Sequence, residues 1–98
     1  MKKDLVSIIL PVYNCEKYIK QTIASVINQT YQNFELLIVN DCSTDKSLEE
    51  IKNATKNIQE KIQIFNLKQN SGVATARNLA LEHAQGEFIT YLDGDYLW

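Results

Sequence analysis

The chain reads as an α/β domain: an open parallel sheet of about four strands in the order 3-2-1-4, with helices on both faces. Three observations predict it. Apolar, β-branched runs alternate with helix-periodic segments along the whole chain. The first two runs are almost continuously apolar, as strands covered on both faces are. The third alternates more strictly, which suits a half-exposed strand at an edge.

The first strand is expected over residues 5–12, Leu-Val-Ser-Ile-Ile-Leu-Pro-Val, stopped by Tyr13-Asn14. Residues 15–29 follow with Ile19, Ile23 and Ile27 one turn apart, and Asn14 is a candidate N-cap. The second strand, residues 34–40, is stopped by Asp41-Cys42-Ser43. A second helix over 45–58 puts Leu48, Ile51 and Ile58 on one face, with Ser43 or Thr44 as cap and Asp45 at the positive end of the helix dipole. Residues 62–67 form the third strand. A third helix over 72–84 repeats Val73, Ala76, Ala80 and Ala84, small enough to lie close to a sheet, with Ser71 to cap it and Gly86 to end it. The fourth strand, residues 88–92, is stopped by Asp93-Gly94.

Ninety-eight residues make one domain, 1–98, with no room for a second folded unit. Ten basic against twelve acidic residues leave no positive excess to hold a nucleic-acid backbone, so nucleic acid is not an expected partner. Neither Ile8-Ile9-Leu10 nor Leu36-Leu37-Ile38-Val39 approaches the ~20 residues of a transmembrane segment. The start, Met1-Lys2-Lys3-Asp4-Leu5, lacks the long apolar stretch of a secretory signal. Two cysteines, Cys15 and Cys42, are too few for a disulfide scaffold and are expected as free thiols in a cytoplasmic protein. His83 sits near a helix C-terminus and receives no functional role.

Chemistry concentrates at the strand exits. Pro11-Val12-Tyr13-Asn14, Asn40-Asp41-Cys42-Ser43, Asn70-Ser71-Gly72 and Asp93-Gly94-Asp95 all stand where open α/β sheets bind ligands, outside the carboxyl ends and near the switch between strands 1 and 4. Gly72, Gly86 and Gly94 are the only glycines, and neither a dinucleotide fingerprint nor a P-loop can be built from them. Phosphate could still be held through a divalent cation, Mn²⁺ or Mg²⁺, for which Asp93 and Asp95 supply carboxylate oxygens two positions apart. The plain alternative is that Asp93-Gly94 is only a turn.

Five blocks in order carry a family resemblance: residues Val6 to Asn14, Ser25 to Thr30, Glu35 to Asp45, Asn70-Ser71-Gly72 with Ala76-Arg77-Asn78, and Tyr91 to Asp95. The chain resembles the nucleotide-binding, Rossmann-like half of family 2 glycosyltransferases, inverting enzymes of the GT-A fold. The resemblance implies a nucleoside-diphosphate sugar as partner, UDP-linked, and transfer of its sugar to an acceptor hydroxyl with inversion. Tyr13 would then lie against the base, Pro11 and Val12 would touch it through backbone atoms, and Asp41 would accept a hydrogen bond from its N–H. Asn70 and Arg77 would line the nucleotide. Asp93 would reach the ribose or the metal, and Asp95 would be the direct metal ligand of the family's D-x-D motif. The parent enzyme would be cytoplasmic or peripheral at the inner face of the membrane.

Each role has a structural competitor: Tyr13 as a strand-end aromatic, Asp41 as a helix cap, Asn70 as a turn residue, Arg77 as a solvated helix residue. Two departures from the family pattern are visible. Tyr96 replaces a frequent further Asp, and the chain is about half the length of a family catalytic domain. The general base is expected beyond residue 98, so no catalytic residue is assigned and the chain alone is expected to be inactive. The fourth strand is expected as an exposed edge prone to self-association. A non-catalytic nucleotide-binding module is the alternative function. A receiver-like or hydrolase-like domain is disfavoured, because Tyr13-Asn14 stands where such domains place a key Asp at the first strand's end.

Overall fold

A computed structural model describes residues 2–56 and 58–92. The elements run β1 (Lys2–Val12), α1 (Ile19–Ile27), β2 (Phe34–Asn40), α2 (Ser47–Thr55), β3 (Ile62–Asn66), α3 (Val73–His83) and β4 (Gly86–Tyr91), with a 3₁₀ turn at Gln59–Lys61 before β3. The sheet order is β3-β2-β1-β4 and every pairing is parallel, as the periodicities predict.

β1 and β2 run in register from Val6 opposite Phe34 to Val12 opposite Asn40. Their apolar runs are continuous because each strand is covered twice. On one face Ile8, Leu10, Leu36 and Ile38 pack against Ile19, Ile23 and Val26 of α1 and Ile51 of α2. On the other, Ile9, Leu37 and Val39 pack against Ala76 and Ala80 of α3. Each of these large side chains is withdrawn from water, a gain of about 1.5–3 kcal/mol apiece. The alanines keep α3 close to the sheet, as their spacing predicts.

Several boundaries and caps differ from expectation. β1 starts earlier, at Lys2, beyond a register shift where Asp4 takes a left-handed φ of 63°. α1 starts later: Tyr18 and Ile19 donate to the Cys15 carbonyl in a preceding turn, and Asn14 does not cap the helix. α2 ends at Thr55, so Ile58 lies outside it, and its inward face is Ser47, Ile51 and Thr55. Thr55 Oγ1 donates to the Ile51 carbonyl (2.9 Å), which satisfies that buried hydroxyl. Neither Ser43 nor Thr44 caps α2; Asp45 Oδ1 accepts from the Ser47 amide instead (2.9 Å). Val73 is exposed rather than packed on the sheet.

Gly86 does not end α3 but opens β4, and its role is close approach. A Cβ there would lie 2.6 Å from the Leu5 carbonyl oxygen and 2.6 Å from Ser7 Oγ. That hydroxyl accepts from the Gly86 amide (2.9 Å) and donates to Glu35 Oε2 (2.6 Å), which also accepts from the Gln85 amide (2.6 Å). The chain thus ties β4 to β1 and β2 at their amino ends. Gly86→Ala is expected to lower unfolding free energy by about 1–3 kcal/mol, the usual penalty for overpacking. A chemical-denaturation midpoint equal to that of the parent chain would contradict this close packing.

Candidate functional site

Parallel pairing brings the exits of β1 and β2 side by side. The Asp41 amide donates to the Val12 carbonyl (2.8 Å), so Tyr13 and Asp41 leave the sheet as neighbours. Pro11, Val12, Tyr13 and Asp41 line one small hollow of about 70 Å³ with Val73 and Ala76 from the start of α3. The exposure of Val73 is explained by this position at the rim. Tyr13 is 46 % exposed, leaving much of its side chain open to a ligand, whereas Asp41 is only 4 % exposed. Roomier hollows of about 400 and 510 Å³ lie elsewhere, one at the amino ends of the strands and one between α2 and β3. Neither contains a strand-exit residue, so the small hollow has the stronger chemical claim.

The loop that presents Tyr13 is stapled to the β2–α2 loop. Asn14 takes a left-handed φ of 51°, and its side-chain carbonyl accepts from the Thr44 amide (2.8 Å) and the Asp45 amide (3.3 Å). The Asn14 amide donates to Ser43 Oγ (3.1 Å) and the Cys15 amide to Ser47 Oγ (2.8 Å). Asn40 Oδ1 accepts from the Ser43 hydroxyl (2.5 Å) and its Nδ2 donates to Asn66 Oδ1 (3.2 Å), extending the network to β3. Cys42 also has a left-handed φ, 58°, and Cys15 Sγ donates to the Tyr13 carbonyl (3.3 Å). These contacts between sequentially remote loops have no periodic signal. Only the polar composition of the strand exits hinted at them.

Asp41 carries a second duty. Its Oδ1 accepts from the Ser71 amide (2.8 Å) and its Oδ2 from the Gly72 amide (2.9 Å). It therefore serves the entrance to α3, where no side chain of the local sequence caps. The competitor reading of Asp41 as a helix cap is met at α3, not at the α2 that follows it in sequence.

Of the remaining expected residues, Asn70 and Arg77 fall among the described ones. Asn70 is exposed in the β3–α3 loop and is not among the residues lining the hollow. Arg77, one turn beyond Val73, lies with its guanidinium 5.2 Å from the centre of the Tyr91 ring, a cation–π contact between α3 and β4. The Leu92 amide donates to the Ile9 carbonyl (2.9 Å), so the described chain reaches Leu92 beside β1. Asp93 and Asp95 lie outside the described residues. No group of three or more His, Cys, Asp or Glu that could hold a metal occurs among the described residues. The carboxylates of Asp93 and Asp95 are hard oxygen donors of the type that Mn²⁺ and Mg²⁺ accept. Away from the site, His83 is exposed, with Nδ1 3.0 Å from the Leu79 carbonyl and its ring near Phe65.

Comparisons with known proteins identify the family to which this arrangement belongs. Residues 7–98 match the family model "Glycosyl transferase family 2", and the chain belongs to that family. It is 50 % identical over 95 residues to an uncharacterized glycosyltransferase of Haemophilus influenzae, covering 97 % of this chain and 38 % of the relative. The crystal structure of S. aureus TarS 1-349 in complex with UDP-GlcNAc superposes with a TM-score of 0.84 at 36 % identity, covering 92 % of this chain and 26 % of that one. The mannosyltransferase PcManGT from Pyrobaculum calidifontis, in complex with GDP-Man and Mn²⁺, superposes with a TM-score of 0.89 at 28 % identity, covering 95 % and 28 %. The chain thus spans about two fifths of the curated relative's length, 38 %. No helix among the described residues is long and apolar enough to cross a membrane.

The staple has a pH signature. Burial pushes the Asp45 carboxyl upward, but hydrogen bonds from the Ser47 hydroxyl and from the Ser47 and Glu16 amides outweigh it and hold it below 3.8. A lowered carboxyl contributes stability that is present above its unfolded value and lost as pH falls through its folded value. The gap in unfolding free energy between the parent chain and Asp45→Asn is therefore expected to be largest at neutral pH and to narrow below pH 3.8. A gap unchanged between neutral pH and acid pH below 3.8 in denaturant titrations counts against the staple.

Proposed function

We propose that the chain binds the donor of a family 2 transferase, a UDP-linked sugar, whose sugar passes to an acceptor hydroxyl with inversion. The observation that carries this reading is the shared hollow: Tyr13 from β1 and Asp41 from β2 meet there with the foot of α3. An exposed aromatic beside an acceptor suits a flat base with an N–H on its edge. The UDP-GlcNAc and GDP-Man complexes of the TarS and PcManGT neighbours support a nucleoside-diphosphate sugar.

In this reading Tyr13 stacks on the base, Pro11 and Val12 meet it through backbone atoms, and Asp41 accepts its N–H. Asn70 and Arg77 flank the nucleotide, and Arg77 supplies a fixed positive charge near base or diphosphate. Asp93 holds the ribose or shares with Asp95 the divalent cation. When bound, that cation offsets the negative charge that grows on the diphosphate as the sugar–phosphate bond breaks. Inversion requires the acceptor oxygen to approach the anomeric carbon from the face opposite the diphosphate and to give its proton to a general base. No residue of this chain is assigned that role, so the 98-residue chain is expected to bind donor without turning it over. The same reading places the parent enzyme in the cytoplasm, where two cysteines such as Cys15 and Cys42 stay reduced.

Calorimetric titration with UDP, GDP and CDP, with and without Mn²⁺, tests the assignment. UDP is expected to bind best, and Mn²⁺ to strengthen it. Tyr13→Ala should cost about 1–3 kcal/mol, the range for one stacked base. Asp95→Ala should abolish only the Mn²⁺-dependent part. Equal affinity for all three nucleotides, indifferent to Mn²⁺, would overturn the reading.

We also propose that β4 pairs with a second copy of the chain. It is an edge of the sheet, and Phe88, Ile89 and Tyr91 are exposed on it, Phe88 by 55 %. Such an edge invites strand addition. Sedimentation is expected to show concentration-dependent dimers that Phe88→Lys weakens; a monomer at every concentration would rule this out.

A further inference from the structure

The carboxylate assigned to the base is already engaged. Asp41 Oδ1 and Oδ2 each accept one backbone amide, from two successive residues about 30 positions away, and the side chain is almost fully buried. Two such bonds fix both the direction and the plane of the carboxylate, and each oxygen retains a lone pair for a further donor.

The geometry of the clamp depends on Gly72. Its φ of 90° with ψ of 161° is a conformation open in practice only to glycine. Space is not the reason for a glycine here, since a Cβ at Gly72 would meet nothing within 4 Å. The residue is therefore required for the direction in which its backbone points. Below it, the Ala76 amide donates to the Gly72 carbonyl (3.1 Å), so the same residue opens α3.

We propose that the Ser71–Gly72 amides are a specificity element for the pyrimidine base, acting through Asp41. This inference rests on the donor-site reading above and adds to it. Uracil presents one N–H between two carbonyls on its pairing edge. Cytosine presents an unprotonated ring nitrogen at the centre of that edge and an amino group to one side. A carboxylate free to turn can reach either donor. A carboxylate held by two amides offers its lone pairs in one place, where the central N–H of uracil is accepted and the central nitrogen of cytosine is repelled. Discrimination then comes from the rigidity of the acceptor as much as from its identity. Ser71 and Gly72 act as positioning residues, since they reach the base only through Asp41.

The test uses the 98-residue chain with UDP and CDP as probes. Gly72→Ala adds a methyl group in open space but disfavours the backbone conformation, so it loosens the clamp while leaving Asp41 in place. Its affinity for UDP is expected to fall by about tenfold, the value of one hydrogen bond, and its UDP-to-CDP preference to fall toward unity. Amide exchange followed by NMR provides the second measurement: in the free parent chain the Ser71 and Gly72 amides should exchange slowly, and in Asp41→Ala rapidly. A merely structural clamp would weaken both nucleotides equally and leave their ratio unchanged. That result, or fast exchange of both amides in the parent chain, overturns the specificity role while UDP binding by the parent chain still upholds the donor site. Failure of the parent chain to bind UDP at all overturns both.

Discussion

The position of β1 between two parallel partners is the constraint from which the rest follows. Because β2 and β4 both run in its direction, every strand of the sheet delivers its carboxyl end to the same edge. Residues that are 28 positions apart, Tyr13 and Asp41, become neighbours through this one geometric fact. The burial of both faces of β1 and β2 makes the register hard to change. A slip of one residue would exchange the sets that face α1 and α2 with the set that faces α3, and the large isoleucines would meet a helix packed through alanines.

That rigidity is used at the carboxyl edge. The apolar sheet holds the ends of the strands, and hydrogen bonds between loops hold the residues that follow. Asn14, Ser43, Asp45 and Ser47 form one set between the first and second exits; Asp41, Ser71 and Gly72 form another between the second and third. Each includes a residue in a backbone conformation that most side chains avoid, Asn14 in the first and Gly72 in the second, and Cys42 beside them is a third. Such conformations are tolerated where surrounding bonds determine the chain path, and, apart from Asp4 near the start of β1, they lie at the edge where the ligand is proposed to sit.

The chemistry at that edge is divided between elements. An exposed aromatic and a buried carboxylate stand together at the hollow, while Arg77 leans over Tyr91 toward β4. Under the proposed donor reading, the base would meet the first pair and the charged diphosphate the second. The chain belongs to glycosyl transferase family 2, and it superposes on TarS and PcManGT over 92 % and 95 % of its length.

Element order, the parallel sheet and its strand order were legible from the sequence alone, because they depend on short-range periodicity: continuous apolar runs for β1 and β2, alternation for β3, alanines at helical spacing for α3. The limits of β2 were also legible, since Phe34 and Asn40 mark abrupt changes in polarity. The polar strand exits and their resemblance to a family pointed to Tyr13 and Asp41. Tertiary structure alone decided which groups close the helix ends. Asn14, Ser43 and Ser71 look like local caps, yet Asn14 serves another loop, Ser43 Oγ accepts from the Asn14 amide, and α3 is entered under the carboxylate of Asp41, just past β2. It also decided that Gly86 belongs to a strand and that Val73 faces a hollow. These outcomes rest on contacts between residues about 30 to 80 positions apart, fixed by sheet register, and no pattern within one element encodes such a partner.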